Sequence, residues 1–426
     1  MEPVTIGLIA LAAVLVLIAL RVPIGVSLIL VSFSGIWAIA GFRPAFSMVS
    51  TIPYSSSASW TLSSIPMFLL MGYVAYHSGL TRGLFEAARV WWGWMPGGLA
   101  IASLAGAGGF AAVSGSSVAC SAAIGRIAIP EMARQGYDLR IATGSVAAGG
   151  TIGALIPPSI ILILFGIQAN VSINSLFLGG LFVGLASLAF YVAAVLIFWL
   201  RHPDRMQRST GYDMADRWRK TLEIWPVLVL IVAVLGGLFA GFFTATEAGA
   251  FGAFMALVIA FARRSLGWQG LRESLVDTLL ASGALFIIAI GANLFTRLVA
   301  MSGLSMEISQ FVEGLGLGTF GLLAIITVIY LLLGMFLEPI GALLLTLPLF
   351  LPLIGSHQVD LVWFGILVAK LLEIGMITPP VGLNVFVIHS VARDHVRLEQ
   401  VFAGIVPFLA ADLVLVVIML LTHGFF

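Results

Sequence analysis

The sequence predicts an all-α polytopic membrane protein built from two related halves. Three observations carry this: a composition that only lipid can solvate, basic residues confined to alternate loops, and an internal repeat that restarts after 222 residues. Of 426 residues, 61% are hydrophobic and 9% charged, and mean hydropathy is +1.13. Soluble domains carry about 25% charged residues, so the solvent for most of this chain is a lipid bilayer. A net charge of +1 offers no field for nucleic acid, and the 29 Phe and 10 Trp read as lipid contacts and interface anchors. Cys120 is the single cysteine, which excludes a disulfide framework and a thiolate metal cluster.

Apolar segments fall at 4–20, 24–41, 54–76, 97–112, 118–133, 138–167, 175–200, 222–242, 245–262, 276–297, 319–334, 340–355, 361–390 and 399–422. The first reads as a retained span: Glu2 stands where a leader would be basic, and no small-x-small cleavage site follows Leu20. The most basic loop, 201–220, holds Arg201, Arg205, Arg208, Arg217, Arg219 and Lys220 and is placed in the cytoplasm. The arms of 97–133 and 319–355 are about 15 residues each, against the ~20 a full span needs, so each pair reads as a re-entrant hairpin. About ten transmembrane helices and two hairpins then put sixteen of the twenty Lys and Arg inside and only Arg43 outside. Both termini fall in the periplasm. Segments 79–96 and 300–317 are too polar to span. The first, with Trp91, Trp92 and Trp94 beside Arg82 and Arg89, reads as an amphipathic arm at the interface.

The repeat needs no gap. Pro130 maps to Pro352, Asp138 to Asp360, Gly153 to Gly375, and Pro157-Pro158 to Pro379-Pro380. Each half holds five crossings and one hairpin, and an odd number of crossings turns the second half upside down. That is an inverted-topology repeat, an architecture common among secondary transporters. The expected division is 1–96 for scaffold helices and arm of the first repeat, then 97–200 for its hairpin, broken helix and last helix. A basic linker covers 201–221; the second repeat follows as 222–317 and 318–426.

Each half contains a helix interrupted by a double proline, Pro157-Pro158 and Pro379-Pro380. Proline removes an N–H and clashes with the carbonyl four residues back, which frees the carbonyls of Gly153, Ile156, Gly375 and Thr378. Open backbone at membrane depth is tolerated where it is buried in protein or lines a polar cavity, and there it can coordinate an ion. A plain proline kink is the alternative; recurrence of the break at equivalent places weighs against it. The first hairpin tip, Ser114-Gly115-Ser116-Ser117, offers hydroxyls for a sodium ion or a carboxylate oxygen, unless its small residues serve only tight packing. The second tip is Gly334 to Pro339, with Glu338. Charges inside the segments need partners. Lys370 and Glu373, three apart on one helix, are expected to neutralise each other. Arg126 is read as a tie between the hairpin and its neighbours, or as a contact for an anionic substrate. Asn384, beyond the second break, is a candidate substrate or ion contact.

Several stretches resemble the large membrane subunit of the tripartite ATP-independent periplasmic (TRAP) transporters. They are Phe110 to Ala119, Gly125 to Met132, Gly136-Tyr137, Ala142 to Gly150, Leu155 to Ser159, Thr244 to Ala248 and Thr378 to Asn384, so the resemblance covers nearly the whole chain. One departure is Ala245, where the family more often has proline. The resemblance implies an ion-transporter-superfamily fold of the elevator type, in the bacterial inner membrane, importing a carboxylate with sodium. It implies two partners, a small four-helix membrane subunit and a periplasmic substrate-binding protein. The first span begins at residue 4, so the small subunit is expected as a separate chain. By motif, one sodium site falls on Ser114, Ser116, Gly153 and Ile156, and a second on Gly334, Gly375 and Thr378. Gly375 has no hydroxyl to offer where some relatives supply one. Ser117, Asn384 and Arg126 are the candidate substrate contacts.

A stand-alone ion-coupled carboxylate transporter of the same superfamily would share the repeat and the broken helices. A channel fits the closed tips and mid-helix breaks less well. An enzyme is disfavoured: the six histidines are scattered, no Ser-His-acid set assembles, and no paired-ligand metal motif or phosphate-binding Gly-x4-Gly-Lys-Ser/Thr loop is present. No organic cofactor is expected.

Overall fold

A computed structural model describes residues 2–206 and 212–423; Arg208 of the basic loop lies outside them. Among the described residues there are twenty α-helices, two short 3-10 turns and no strand. The first half runs α1 (Pro3–Ala19), α2 (Ile24–Ala40), α3 (Phe42–Ser57), α4 (Ser64–His77), α5 (Arg82–Trp92), α6 (Gly98–Ser114), α7 (Ser117–Arg134), α8 (Leu139–Thr151), α9 (Ile160–Ala169) and α10 (Ile173–Arg201). The second runs α11 (Met214–Glu223), α12 (Trp225–Phe239), α13 (Ala245–Ala262), α14 (Trp268–Ser302), α15 (Leu304–Gly314), α16 (Thr319–Phe336), α17 (Pro339–Ser356), α18 (Leu361–Gly375), α19 (Leu383–Ala392) and α20 (Leu398–Leu421).

Six of these helices are long and apolar enough to cross a membrane: α10, α13, α14, α16, α17 and α20. Joining α11 to α12 across a 60° bend makes seven, and α1, α2, α6, α9 and α19 are shorter apolar helices of 10–17 residues. Two expected segments change shape. The stretch 54–76 is broken, because α3 stops at Ser57 and α4 starts at Ser64. The intervening sequence is serine-rich, and Ser55 and Ser63 donate to the carbonyls of Ile52 and Trp60, a local bonding that competes with helix continuation. The stretch 276–297 extends to the 35 residues of α14. Part of the basic loop also folds, as α11, where Arg219 pairs with Asp216 at 2.8 Å and Lys220 with Glu223 at 2.7 Å.

Helix starts follow capping rules. Asp138 and Asp360, equivalent by the 222-residue shift, cap α8 and α18 by accepting from Arg140 N and Trp363 N at 2.9 and 2.7 Å. Ser116 caps α7, Ser159 caps α9, and Thr244 with Glu247 forms a capping box on α13.

The helices pack in two groups. In one, α2 lies along α14, α4 along α13 and α14, and α1, α3 and α12 complete the layer. In the other, α8 is buried among α6, α7 and α20, while α18 packs on α16, α17 and α10. Small residues permit the closest approach: a Cβ on Gly144 would stand 2.1 Å from the Gly404 carbonyl oxygen. The groups meet where α4 touches α6 and α14 touches α17. The two polar arms each lie on a hairpin, α5 on α6 and α15 on α17. Arg89 of α5 pairs with Glu131 of α7 at 2.8 Å, and Ser305 of α15 donates to the Pro348 carbonyl at 3.1 Å.

Candidate functional site

The first hairpin turns on three residues. α6 ends at Ser114, Gly115 takes φ +60°, and Ser116 opens α7. The Gly115 conformation is one that side chains rarely adopt, and a Cβ there would also come within 2.3 Å of the Pro158 carbonyl oxygen. The tip therefore rests directly on the first double proline. The second hairpin is capped by Glu338, whose Oε2 accepts from Gly341 N at 3.1 Å.

Both helices break where the prolines require. α8 passes through a 3-10 turn (Ile152–Ala154) and resumes as α9; α18 stops at Gly375 and resumes as α19. Both Pro-Pro bonds are cis. The missing N–H groups of Pro157 and Pro158 would have served the carbonyls of Gly153 and Ala154. The Ser159 hydroxyl donates to Ala154 O instead. Among the described residues the carbonyls of Gly153, Ile156 and Thr378 receive no hydrogen bond. The Gly375 carbonyl, expected to be free, accepts from Thr378 N at 3.1 Å, because a tighter three-residue turn replaces the lost helical bond. Ser159→Ala strands the buried Ala154 carbonyl, so a loss of about 1–3 kcal/mol in unfolding free energy is expected, read by thermal unfolding in detergent.

The sites assigned by motif come together in part. Gly153 faces the first tip, with a notional Cβ 3.2 Å from Ser116 O, and Ser114 Oγ is buried without a partner. Gly334 and Gly375 touch, a Cβ on Gly375 falling 2.4 Å from Gly334 Cα. Thr378 Oγ1 donates to Ile374 O at 2.6 Å, which leaves its lone pairs open. A hard monovalent cation takes oxygen ligands, and these hydroxyl and carbonyl oxygens fit one.

Both tips and both breaks border one cavity of about 100 Å³. Its wall includes Ser116, Ser117 and Ala154 from the first half and Glu338, Glu373 and Met376 from the second. A second cavity, about 120 Å³, lies on the other side of the first tip, between Ser114, Ser116 and Ala119 and the α4 residues Gly72, Tyr73 and Tyr76. Arg126 is exposed beside it and donates to Tyr76 OH at 3.4 Å, so the tie between hairpin and neighbour expected of this arginine is made. Asn384 borders neither cavity; it is fully buried, with both amide atoms unpartnered.

The expected Lys370–Glu373 pair is not made. Lys370 Nζ, fully buried, lies 2.6 Å from Asp412 Oδ1 on α20 and donates to Ser187 and Tyr191 of α10 at 2.9 and 3.4 Å. Tyr191 OH donates to the other Asp412 oxygen at 2.8 Å and meets Thr151 Oγ1 at 2.9 Å. On the same helix, Glu373 points the other way, to the first hairpin, where its Oε2 accepts from Ser117 Oγ at 2.6 Å. Ser117 thus links the first tip to the second broken helix. The signal for the true partner was in the sequence: Asp412 is the one acid in the interior of the apolar stretch 399–422, whose other acid, Glu399, stands at its first position.

Comparison with known proteins matches residues 11–425 to the family described as the tripartite ATP-independent periplasmic transporter, DctM component. The C4-dicarboxylate TRAP transporter large permease protein of Pseudomonas aeruginosa is 34% identical over 340 residues, 79% of each chain. The isethionate TRAP transporter permease protein of Oleidesulfovibrio alaskensis is 34% identical over 412 residues; the match covers 94% of this chain and 62% of that one. Among solved structures, the YdaH transporter of Alcanivorax borkumensis superposes with a TM-score of 0.65 at 13% identity, covering 90% of this chain and 89% of that one, and so shares the fold. The chain belongs to the DctM family of multi-span TRAP transporter large permeases.

Proposed function

We propose that the chain is the large permease of a sodium-coupled importer of an organic carboxylate, working by an elevator motion in the bacterial inner membrane. A small membrane subunit and a periplasmic binding protein complete the system. The observation that carries this reading is the cavity shared by two hairpin tips and two broken helices, walled by Ser116, Ser117, Glu338 and Glu373, with the unpartnered Ser114 hydroxyl and the open carbonyls of Gly153, Ile156 and Thr378 at the same tips and breaks. Sodium would be held at Ser114, Ser116, Gly153 and Ile156, and at Gly334, Gly375 and Thr378. Bound there, it would supply positive charge that draws a carboxylate to the tips. Ser117 and Arg126 stand beside the two cavities as solute contacts, and Asn384 offers an unspent amide one turn beyond the break. Relatives named for C4-dicarboxylate, isethionate, sialic acid and 2,3-diketo-L-gulonate support an acidic solute.

An inverted repeat of ten crossings and two hairpins, with both ends periplasmic, is part of the same proposal. Shifted by 222 residues, the bounds of α5 and α7 coincide with those of α15 and α17, and the other helices of the first half follow within a few residues, except α3 and α4, whose counterparts are joined in α14. The packing in two groups supports one sliding against the other, with the arms α5 and α15 bracing the hairpins.

The test is uptake of radiolabelled succinate, isethionate and sialic acid into proteoliposomes holding the chain, its small subunit and its binding protein. Uptake of at least one that requires both an inward sodium gradient and the binding protein is expected. Uptake driven by a proton gradient without sodium overturns the ion assignment, and uptake without the binding protein favours a stand-alone carrier.

A further inference from the structure

We propose that Glu373 holds a monovalent metal cation of its own, distinct from the two sites at the tips, with Ser117 and Glu338 completing its oxygen set. The side chain is 1% exposed. One carboxylate oxygen is taken by Ser117 and the other, Oε1, is buried with no partner. Glu373 lines the cavity between the hairpin tips, and so does Glu338, which brings a second carboxylate into the same wall.

No protein cation balances them. The one base on this helix, Lys370, is spent on Asp412 at 2.6 Å, and no salt bridge among the described residues reaches Glu373 or Glu338. A buried carboxylate without a counter-charge is heavily penalised and must be neutralised; a proton would still leave the buried Oε1 without a partner, whereas a positive ion from outside would occupy it. The cavity, about 100 Å³, has room for an ion with a water or two. Among the described residues no group of three His, Cys, Asp or Glu gathers. Two carboxylates with a hydroxyl suit a hard ion such as sodium rather than a transition metal. The ion would join Ser117 of the first hairpin to Glu373 of the second broken helix, so its binding would hold the two halves together across the cavity.

This assignment rests on the sodium-coupled reading, and one experiment separates the two. Equilibrium binding of ²²Na⁺ to the purified full chain in lipid nanodiscs, in choline buffer, is measured for the wild type, Glu373→Gln and Ser117→Ala. Glu373→Gln is expected to bind one sodium ion fewer per chain at saturation while keeping the others. Ser117→Ala is expected to weaken that one ion about tenfold, equivalent to about 1.4 kcal/mol. Unchanged stoichiometry and affinity in Glu373→Gln overturn the site and leave sodium coupling standing. A wild type that binds no ²²Na⁺ overturns sodium coupling and this site together. Should Glu373→Gln fail to purify as a single species, Ser117→Ala decides: unchanged affinity for every bound ion overturns the site.

Discussion

Asp412→Leu is expected to lower unfolding free energy by about 3–5 kcal/mol, because it leaves the Lys370 ammonium buried without its counter-charge. Lys370 is the hub of the contact between α18, α10 and α20: it touches Asp412, Ser187 and Tyr191, and its ammonium lies 5.3 Å from the Tyr191 ring centre. The ordinary hydroxyl contacts cannot replace a full negative charge. The double variant Lys370→Met with Asp412→Leu removes both charges and fills similar volume, so it is expected to regain most of the loss. Thermal unfolding of the detergent-solubilised protein, followed by tryptophan fluorescence, reads both. A double variant as unstable as the single one would show that shape and not charge holds these helices.

Gly375→Ala is expected to force the second hairpin away from the second broken helix. The added Cβ would stand 2.4 Å from the backbone of Gly334, and backbone cannot swing aside as a flexible side chain can. Overpacking of this kind costs about 1–3 kcal/mol. The functional effect should be larger than that figure, since Thr378 and the open carbonyls beyond the break are positioned by the same contact. Gly355→Ala is the control: nothing lies within 4 Å of its notional Cβ, and it should behave as wild type in both stability and solute uptake. Equal effects of the two substitutions would remove the close contact from the account.

Much of this architecture was legible because membrane solvation makes strong patterns. Arms and broken helices could be read from Trp and Arg placement and the paired prolines, and α6 with α7, α16 with α17, and α8 with α9 appear where these cues place them; the arms of the two hairpins, read as about 15 residues, run 17 to 18, and α16 and α17 are each long enough to cross a membrane. Hydropathy could not find the break at Ala58–Ser63, because serines in an apolar stretch lower the average little while bonding back to their own carbonyls. It also could not locate the ends of α14, whose first turns are polar yet helical. The site was legible where the backbone defines it, at Gly153, Gly375 and the tips. Glu373 escaped because spacing along one helix says which residues are neighbours but not which surrounding helix each side chain meets. Lys370 has a long stem that carries its charge sideways to α20, and Glu373 then falls to the cavity by default. A search for a partner for Asp412 would have exposed the error, since an acid in the interior of an apolar helix needs one.

The most direct test of the central claim is the sodium dependence of solute uptake in proteoliposomes for wild type, Ser114→Ala and Thr378→Ala. Ser114 has a buried hydroxyl with no other partner, and Thr378 keeps its lone pairs free. The account predicts that each substitution raises the sodium concentration for half-maximal uptake on the order of tenfold, the loss of one oxygen ligand at about 1.4 kcal/mol, with binding-protein dependence retained. Uptake by both variants with the sodium dependence of the wild type would contradict it, and would move the coupling ion away from the hairpin tips and broken helices.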